Sequence, residues 1–161
     1  MILAVITISD RCAQGLMTDS AGPAVAAKLE AAWPQAEIAL RLLPDEEEQI
    51  VASLLDLCAV GASLIVTVGG TGLGPRDRTP EATRRVIDRE APGLAEAMRA
   101  KTAANNPYAW LSRGIAGLKG STLIANLPGS ERGASECFAA IAPLIRHGLE
   151  VAGGGAEHPR S

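Results

Sequence analysis

The stretch TVGGTGLGPRDRTPE, Thr67 to Glu81, sets Gly69, Gly70, Gly72 and Gly74 behind a β-branched run and places Asp77 between Arg76 and Arg78. Glycines leave room for backbone amides to converge on an anion. Thr71 and Thr79 add hydroxyls. Thr79, as N-cap, followed by Pro80 and Glu81, reads as a helix start whose positive end lies beside the same loop. A carboxylate next to a phosphate cradle calls for a cation, and Mg²⁺ is commonly held by one or two carboxylates plus phosphate oxygens. Asp45, behind RLLP, is the candidate second carboxylate. One reading is therefore metal-assisted phosphate chemistry. The other is a Gly-rich connection in which Asp45 caps a helix and Asp77 pairs with an arginine at the surface.

The familiar nucleotide loops do not fit. No GxxxxGK[ST] occurs, and a GxGxxG begun at Gly70 and Gly72 would need glycine where Pro75 stands. His147 and His158 form no Ser–His–Asp set, which leaves metal and electrostatics as the chemistry. Three further segments are candidates. Ser9 and Asp10 in SDR could cap, tie loops together or touch ligand. Ser112 and Arg113 in LSR offer a hydroxyl and a phosphate-pairing guanidinium. Asn126, Pro128, Gly129 and Ser130 in NLPGS suit either an anion or a tight Pro-Gly turn.

These segments need strand ends to hold them. ILAVITIS (2–9), AEIALRLL (36–43), ASLIVTVGG (62–70) and STLIANLPGS (121–130) read as strands. Helical patterns fall between and after them, at 21–33, 45–60, 79–90, 92–103 and 131–152, the last with a kink or split expected at Pro143. Such alternation predicts a single-domain α/β three-layer sandwich, a mainly parallel central sheet with helices on both faces. Ligands then bind beyond the carboxyl ends of the strands, where SDR, LPDE, GGTGLGPRD and NLPGS lie. The domain is expected over 1–152, with 153–161 a flexible Gly- and Pro-rich tail.

Composition agrees with one aliphatic core: 161 residues, 47% hydrophobic and only 2% aromatic. A net charge of −3 argues against nucleic acid as a partner. Cys12, Cys58 and Cys137 match neither a zinc nor a CxxC pattern. No apolar run approaches the ~20 residues of a membrane span. MILAVITISD lacks the features of a signal peptide, so a soluble, cytoplasmic protein is expected.

Taken in order and spacing, TISDR, RLLPDE, TVGGTGLGPRDRTPEAT, LSR and NLPGS resemble the family of MogA, MoaB and related molybdopterin-binding domains, most closely its MogA-type molybdopterin adenylyltransferases. The resemblance runs from Ile2 to about Ala152. It implies the α/β domain above, usually as a homotrimer, and an enzyme that uses Mg²⁺ and ATP to place AMP on the terminal phosphate of molybdopterin. Pyrophosphate leaves, and a molybdate-inserting partner protein acts afterwards. Carried over to this chain, the acidic pair is Asp45 and Asp77. Gly69, Gly70, Thr71, Gly72, Thr79 and Glu81 would line the pocket, and Ser112, Arg113 and Asn126 to Ser130 would help hold pterin or phosphate. Glu131 stands where the family commonly has proline. A MoaB-like binder or carrier without catalysis is the alternative that the same residues allow.

Overall fold

A computed structural model describes residues 1–153. Of the expected tail, only Gly153 lies within them. The central sheet has the strand order β2-β1-β3-β6-β5-β4. Its strands are β1 (Ile2–Ile8), β2 (Glu37–Leu43), β3 (Ala62–Val68), β4 (Arg89–Glu90), β5 (Ala116–Lys119) and β6 (Thr122–Leu127). The first three and β6 run parallel; β5 is antiparallel to β6, and β4 to β5.

Side chains alternate across the sheet with period two. Leu3 and Val5 of β1, Leu64, Val66 and Val68 of β3, and Leu123, Ala125 and Leu127 of β6 face one layer. That layer is α2 (Ala21–Ala32), α5 (Pro92–Ala103) and α6 (Glu131–Ala152). Ala4, Ile6 and Ile8 of β1, with Ile65 and Ile124, face α3 (Glu47–Ala59) and α4 (Thr79–Val86). Both faces are covered by helices, which explains why the inner parallel strands β1 and β3 read as nearly continuous apolar runs, whereas the edge strand β2 is only half-buried. The expected three-layer α/β sandwich is the observed fold.

Several boundaries differ from expectation. The helix begun at Thr79 ends at Val86 rather than reaching Glu90. Beyond it the backbone is claimed by the sheet: Asp88 N–H donates to the Leu118 carbonyl at 2.7 Å and Ala91 N–H to that of Ala116 at 2.8 Å. Thr79 is the first residue of α4 rather than its cap, because Arg78 precedes the helix. The Thr79 hydroxyl instead donates to the Gly69 carbonyl at 2.9 Å. No split occurs at Pro143. Ile141 and Ile145 on either side of it are fully buried and hold both turns against the sheet, so α6 is one element. Glu131 opens α6 behind the cap Ser130, where an acidic side chain complements the helix dipole without needing proline. Short turns α1 (Asp10–Ala13) and Pro107–Leu111, a 3-10 helix, complete the chain.

Candidate functional site

From β1 the chain passes to β2 on one side and then to β3 on the other. The strand order therefore reverses between β1 and β3, the place where open α/β sheets take ligands. Gly69 and Gly70 follow β3 there, with φ of +110° and +63°. A Cβ on Gly69 would sit 2.2 Å from the Ile8 carbonyl oxygen, and one on Gly70 would sit 2.3 Å from Thr79 Oγ1. Positive φ and close packing both require glycine. Gly69 N–H donates to the Leu127 carbonyl at 3.0 Å, and Thr79 N–H to the Gly70 carbonyl at 3.1 Å. The loop is thus tied to β6 and to α4 at its first two residues.

Asp45 follows β2 but does not cap α3; Glu46 occupies that position and makes no side-chain cap. Asp45 Oδ2 instead accepts the Asp10 amide at 2.8 Å, and Asp10 Oδ1 accepts the Asp45 amide at 3.0 Å. Asp10 also pairs with Arg76, whose Nε lies 2.6 Å from Oδ2, while Arg76 reaches Glu46 at 2.8 Å. The bond from Arg76 holds the Asp10 carboxyl below its ordinary range. Burial pushes Asp45 up, and the negative charges of Asp10 and Asp77 add to this. Asp77 Oδ2 accepts the Gly74 amide at 2.8 Å. Asp77 makes no ion pair among the described residues, so the surface-pair reading does not hold for it.

Two cavities open at these strand ends. The first, of about 350 Å³, lies between α5, the Pro107–Leu111 turn and the start of α6, and is lined in part by Met98, Arg99, Tyr108, Glu136 and Cys137. The second, of about 440 Å³, lies at the β1/β3 reversal, beside Thr7, Asp19 and the start of α2. Gly70, Asp77, Gly129 and Ser130 line both.

The expected site residues divide accordingly. Thr71, Gly72, Ser112, Asn126 and Pro128 line only the first cavity. Ser9, Asp45 and Gly69 line only the second. Asp10, Thr79, Glu81 and Arg113 line neither, and each is bonded to other protein groups. Asn126 is 1% exposed and bonded on all sides: Nδ2 donates to Thr67 Oγ1 and Thr83 Oγ1, both at 2.9 Å, and Oδ1 accepts the Ile115 amide at 3.2 Å. Ser130 Oγ accepts the Gly133 amide at 3.2 Å as the cap of α6. Arg99, Tyr108 and Glu136 were not expected. They stand on elements whose patterns mark only helix and turn, so no sequence signal separates them from ordinary surface residues. Asp19 was not expected either; its Oδ1 accepts the Gly22 amide at 3.0 Å at the start of α2.

Among the described residues no cluster of three or more His, Cys, Asp or Glu is arranged to hold a metal. Asp45 and Asp77 each keep Oδ1 outside the hydrogen bonds described, and both line the second cavity. Two hard oxygen donors without a full protein cage fit Mg²⁺ completed by phosphate oxygens and water.

The family model described as a probable molybdopterin binding domain matches residues 4–147. The chain is 36% identical over 151 residues to a molybdopterin adenylyltransferase of Helicobacter pylori, covering 92% of this chain and 86% of that one. It is 38% identical over 150 residues to the molybdenum cofactor synthesis protein cinnamon of Drosophila melanogaster, covering 92% of this chain but only 25% of that much longer protein. Among solved structures, the molybdopterin biosynthesis enzyme MoaB of Thermus thermophilus superposes with a TM-score of 0.87 at 46% identity, covering 95% of this chain and 96% of that one.

Proposed function

This chain belongs to the molybdopterin-binding domain family, and on that premise we propose that it is a molybdopterin adenylyltransferase of molybdenum cofactor biosynthesis. In the reaction a terminal phosphate oxygen of molybdopterin bonds to the α-phosphorus of ATP, the α–β anhydride bond breaks, and pyrophosphate leaves. The observation that carries the reading is the placement of Asp45 and Asp77. They come from different strand ends, line one cavity, and Asp77 also faces a second one. Holding a pterin by its ring and phosphate does not call for two carboxylates; aligning two polyanions around a cation does.

The chain's own groups do the following work. Amides around Gly70 and Gly129, with the start of α6, receive phosphate. Ser130 marks the positive end of that 22-residue helix. Ser112 and Thr71 offer hydrogen bonds in the first cavity. Asp45 and Asp77 would hold Mg²⁺, which neutralises charge on the transferring phosphoryl group when bound. Positioning and charge neutralisation account for most catalysis in such transfers. A homotrimer, and a separate protein that inserts molybdate, complete the reading.

A second reading is a MoaB-like molybdopterin-binding or carrier protein, and the likeness to the Thermus MoaB, itself described as a biosynthesis enzyme, does not decide between the two. Pyrophosphate release from Mg²⁺-ATP separates the two. Release that requires both molybdopterin and Asp77 establishes the transferase. Tight molybdopterin binding without release, in both the natural chain and Asp77→Asn, establishes the carrier.

A further inference from the structure

Arg113 follows the turn that rims the first cavity, and its sequence neighbourhood sends its guanidinium to a ligand phosphate. The geometry points elsewhere: we infer that Arg113 is a positioning residue that sets Asp77, within the adenylyltransferase reading on which this inference rests.

Its backbone N–H donates to the Thr71 carbonyl at 2.8 Å. Its Nε donates to the Gly72 carbonyl at 2.7 Å, and Nη2 to the Asp77 carbonyl at 2.5 Å. The same guanidinium pairs with the Glu81 carboxylate, through Nη1 to Oε1 and through Nη2 to Oε2. One side chain thus grips both limbs of the Gly-rich loop and the first turn of α4. Within the loop so closed, Asp77 Oδ2 meets the Gly74 amide. All three guanidinium nitrogens are engaged inside the protein, and Arg113 lines neither cavity.

The clamp is itself held. Arg99 Nη1 donates to the Ser112 and Gly114 carbonyls, at 3.3 and 3.0 Å, fixing the backbone on both sides of Arg113. Glu81 is the counter-ion, and Arg113 keeps its carboxyl below the usual range. Two carbonyls and a carboxylate, met by one side chain, need the fixed fork of donors that lysine lacks.

The test uses the full chain with Arg113→Lys and, as a milder change that keeps the arginine, Glu81→Gln. Two readouts are taken. The Gly74 amide proton resonance, with Asp77→Ala as reference for the lost bond, reports where the Asp77 carboxylate sits. Steady-state pyrophosphate release reports kcat and the KM for molybdopterin. Arg113→Lys should move the Gly74 resonance towards its place in Asp77→Ala. It should lower kcat about 100-fold, the scale of a misplaced reacting geometry. The KM for molybdopterin should stay within about threefold, because no ligand contact is lost. Added to Asp77→Asn, it should cost nothing more. Glu81→Gln should shift the resonance the same way and lower kcat about tenfold.

An unmoved Gly74 resonance in both variants overturns the inference. So does a raised KM with kcat kept, which would make Arg113 a ligand contact, and so do losses that multiply in the double variant. If the natural chain releases no pyrophosphate, the adenylyltransferase reading falls, and the Gly74 resonance alone still decides whether Arg113 sets Asp77.

Discussion

Asp10 and Asp45 each accept the other's backbone amide, at 3.0 and 2.8 Å. The exchange joins the end of β1 to the end of β2 and fixes the Asp45 carboxylate from a neighbouring strand. Asp10→Ala removes one arm of the exchange and strands the Asp45 amide. The expected result is a lower urea midpoint, because a charge-assisted hydrogen bond is lost and its donor is left without a partner. Asp10→Asn keeps an acceptor oxygen and forfeits only the half-exposed pair with Arg76, so it should lose less than half as much. Equal losses in the two variants would mean that the charge of Asp10, and not the exchange, matters.

Asp45→Asn separates chemistry from stability. Burial makes the charged form of Asp45 unfavourable in the fold. A neutral amide should therefore leave the melting temperature unchanged or slightly higher. Pyrophosphate release should fall by about 10²–10³, the usual effect of removing one electrostatic stabiliser. A lower melting temperature with turnover kept would assign Asp45 to the framework.

Gly69→Ala brings together two penalties, positive φ and a Cβ pressed on the Ile8 carbonyl. A loss of about 3 kcal/mol or more is expected. Gly61, with φ of +82° and nothing within 4 Å of a built Cβ, isolates the first penalty. Gly61→Ala should cost about 1–2 kcal/mol. Denaturant midpoints measure both, and similar values would show that the strand ends yield to a methyl group.

Acid should destabilise the fold. Hydrogen bonds from Arg76, from Arg78 and Arg85, from Arg85, from Arg113 and from Lys119 lower Asp10, Glu47, Glu48, Glu81 and Asp88 in turn. Their ordinary values are 3.8 for Asp and 4.5 for Glu. The folded carboxylates lie below these, so the unfolded chain binds more protons in this range. Their stabilisation is present above the ordinary values and is lost as pH falls through the lowered ones. Asp45, raised, acts in the opposite sense: its contribution is lost as pH rises through its folded value. With five groups against one, the urea midpoint should drop below about pH 4.5, less steeply in high salt because most of these pairs are exposed. A midpoint that is flat or rises on acidification would contradict the set of ion pairs.

The parallel strands β1 and β3 were legible because each is a nearly continuous apolar run bounded by turn residues, and the edge strand β2 because it alternates. The antiparallel ribbon of β4 and β5 was not. Two and four residues carry no period; β5 becomes a strand because the outer edge of β6 offers it a partner, and β4 because β5 in turn does. The Gly-rich loop and its two carboxylates could be placed at strand ends from the sequence. What could not be read is which polar groups face inward. Arg113 beside a glycine loop looks the same in sequence whether it meets phosphate or three loop groups. Asp10 and Asp45 are 35 positions apart, and nothing local marks their exchange. Thr79 reads as a cap by type, yet its hydroxyl is taken by a carbonyl ten residues earlier.

A Cβ on Gly129 would lie 3.3 Å from the Gly69 Cα. The divider between the two cavities is therefore, at this point, bare main chain against bare main chain. Its thickness is set by covalent geometry and by strand spacing, neither of which a side-chain substitution can adjust. Walls built from side chains, such as Met98, Tyr108 and Glu136 of the first cavity, can be reshaped one residue at a time to suit a different occupant. The distance between the two occupants has no such freedom, because any change at 69 or 129 shifts both compartments together.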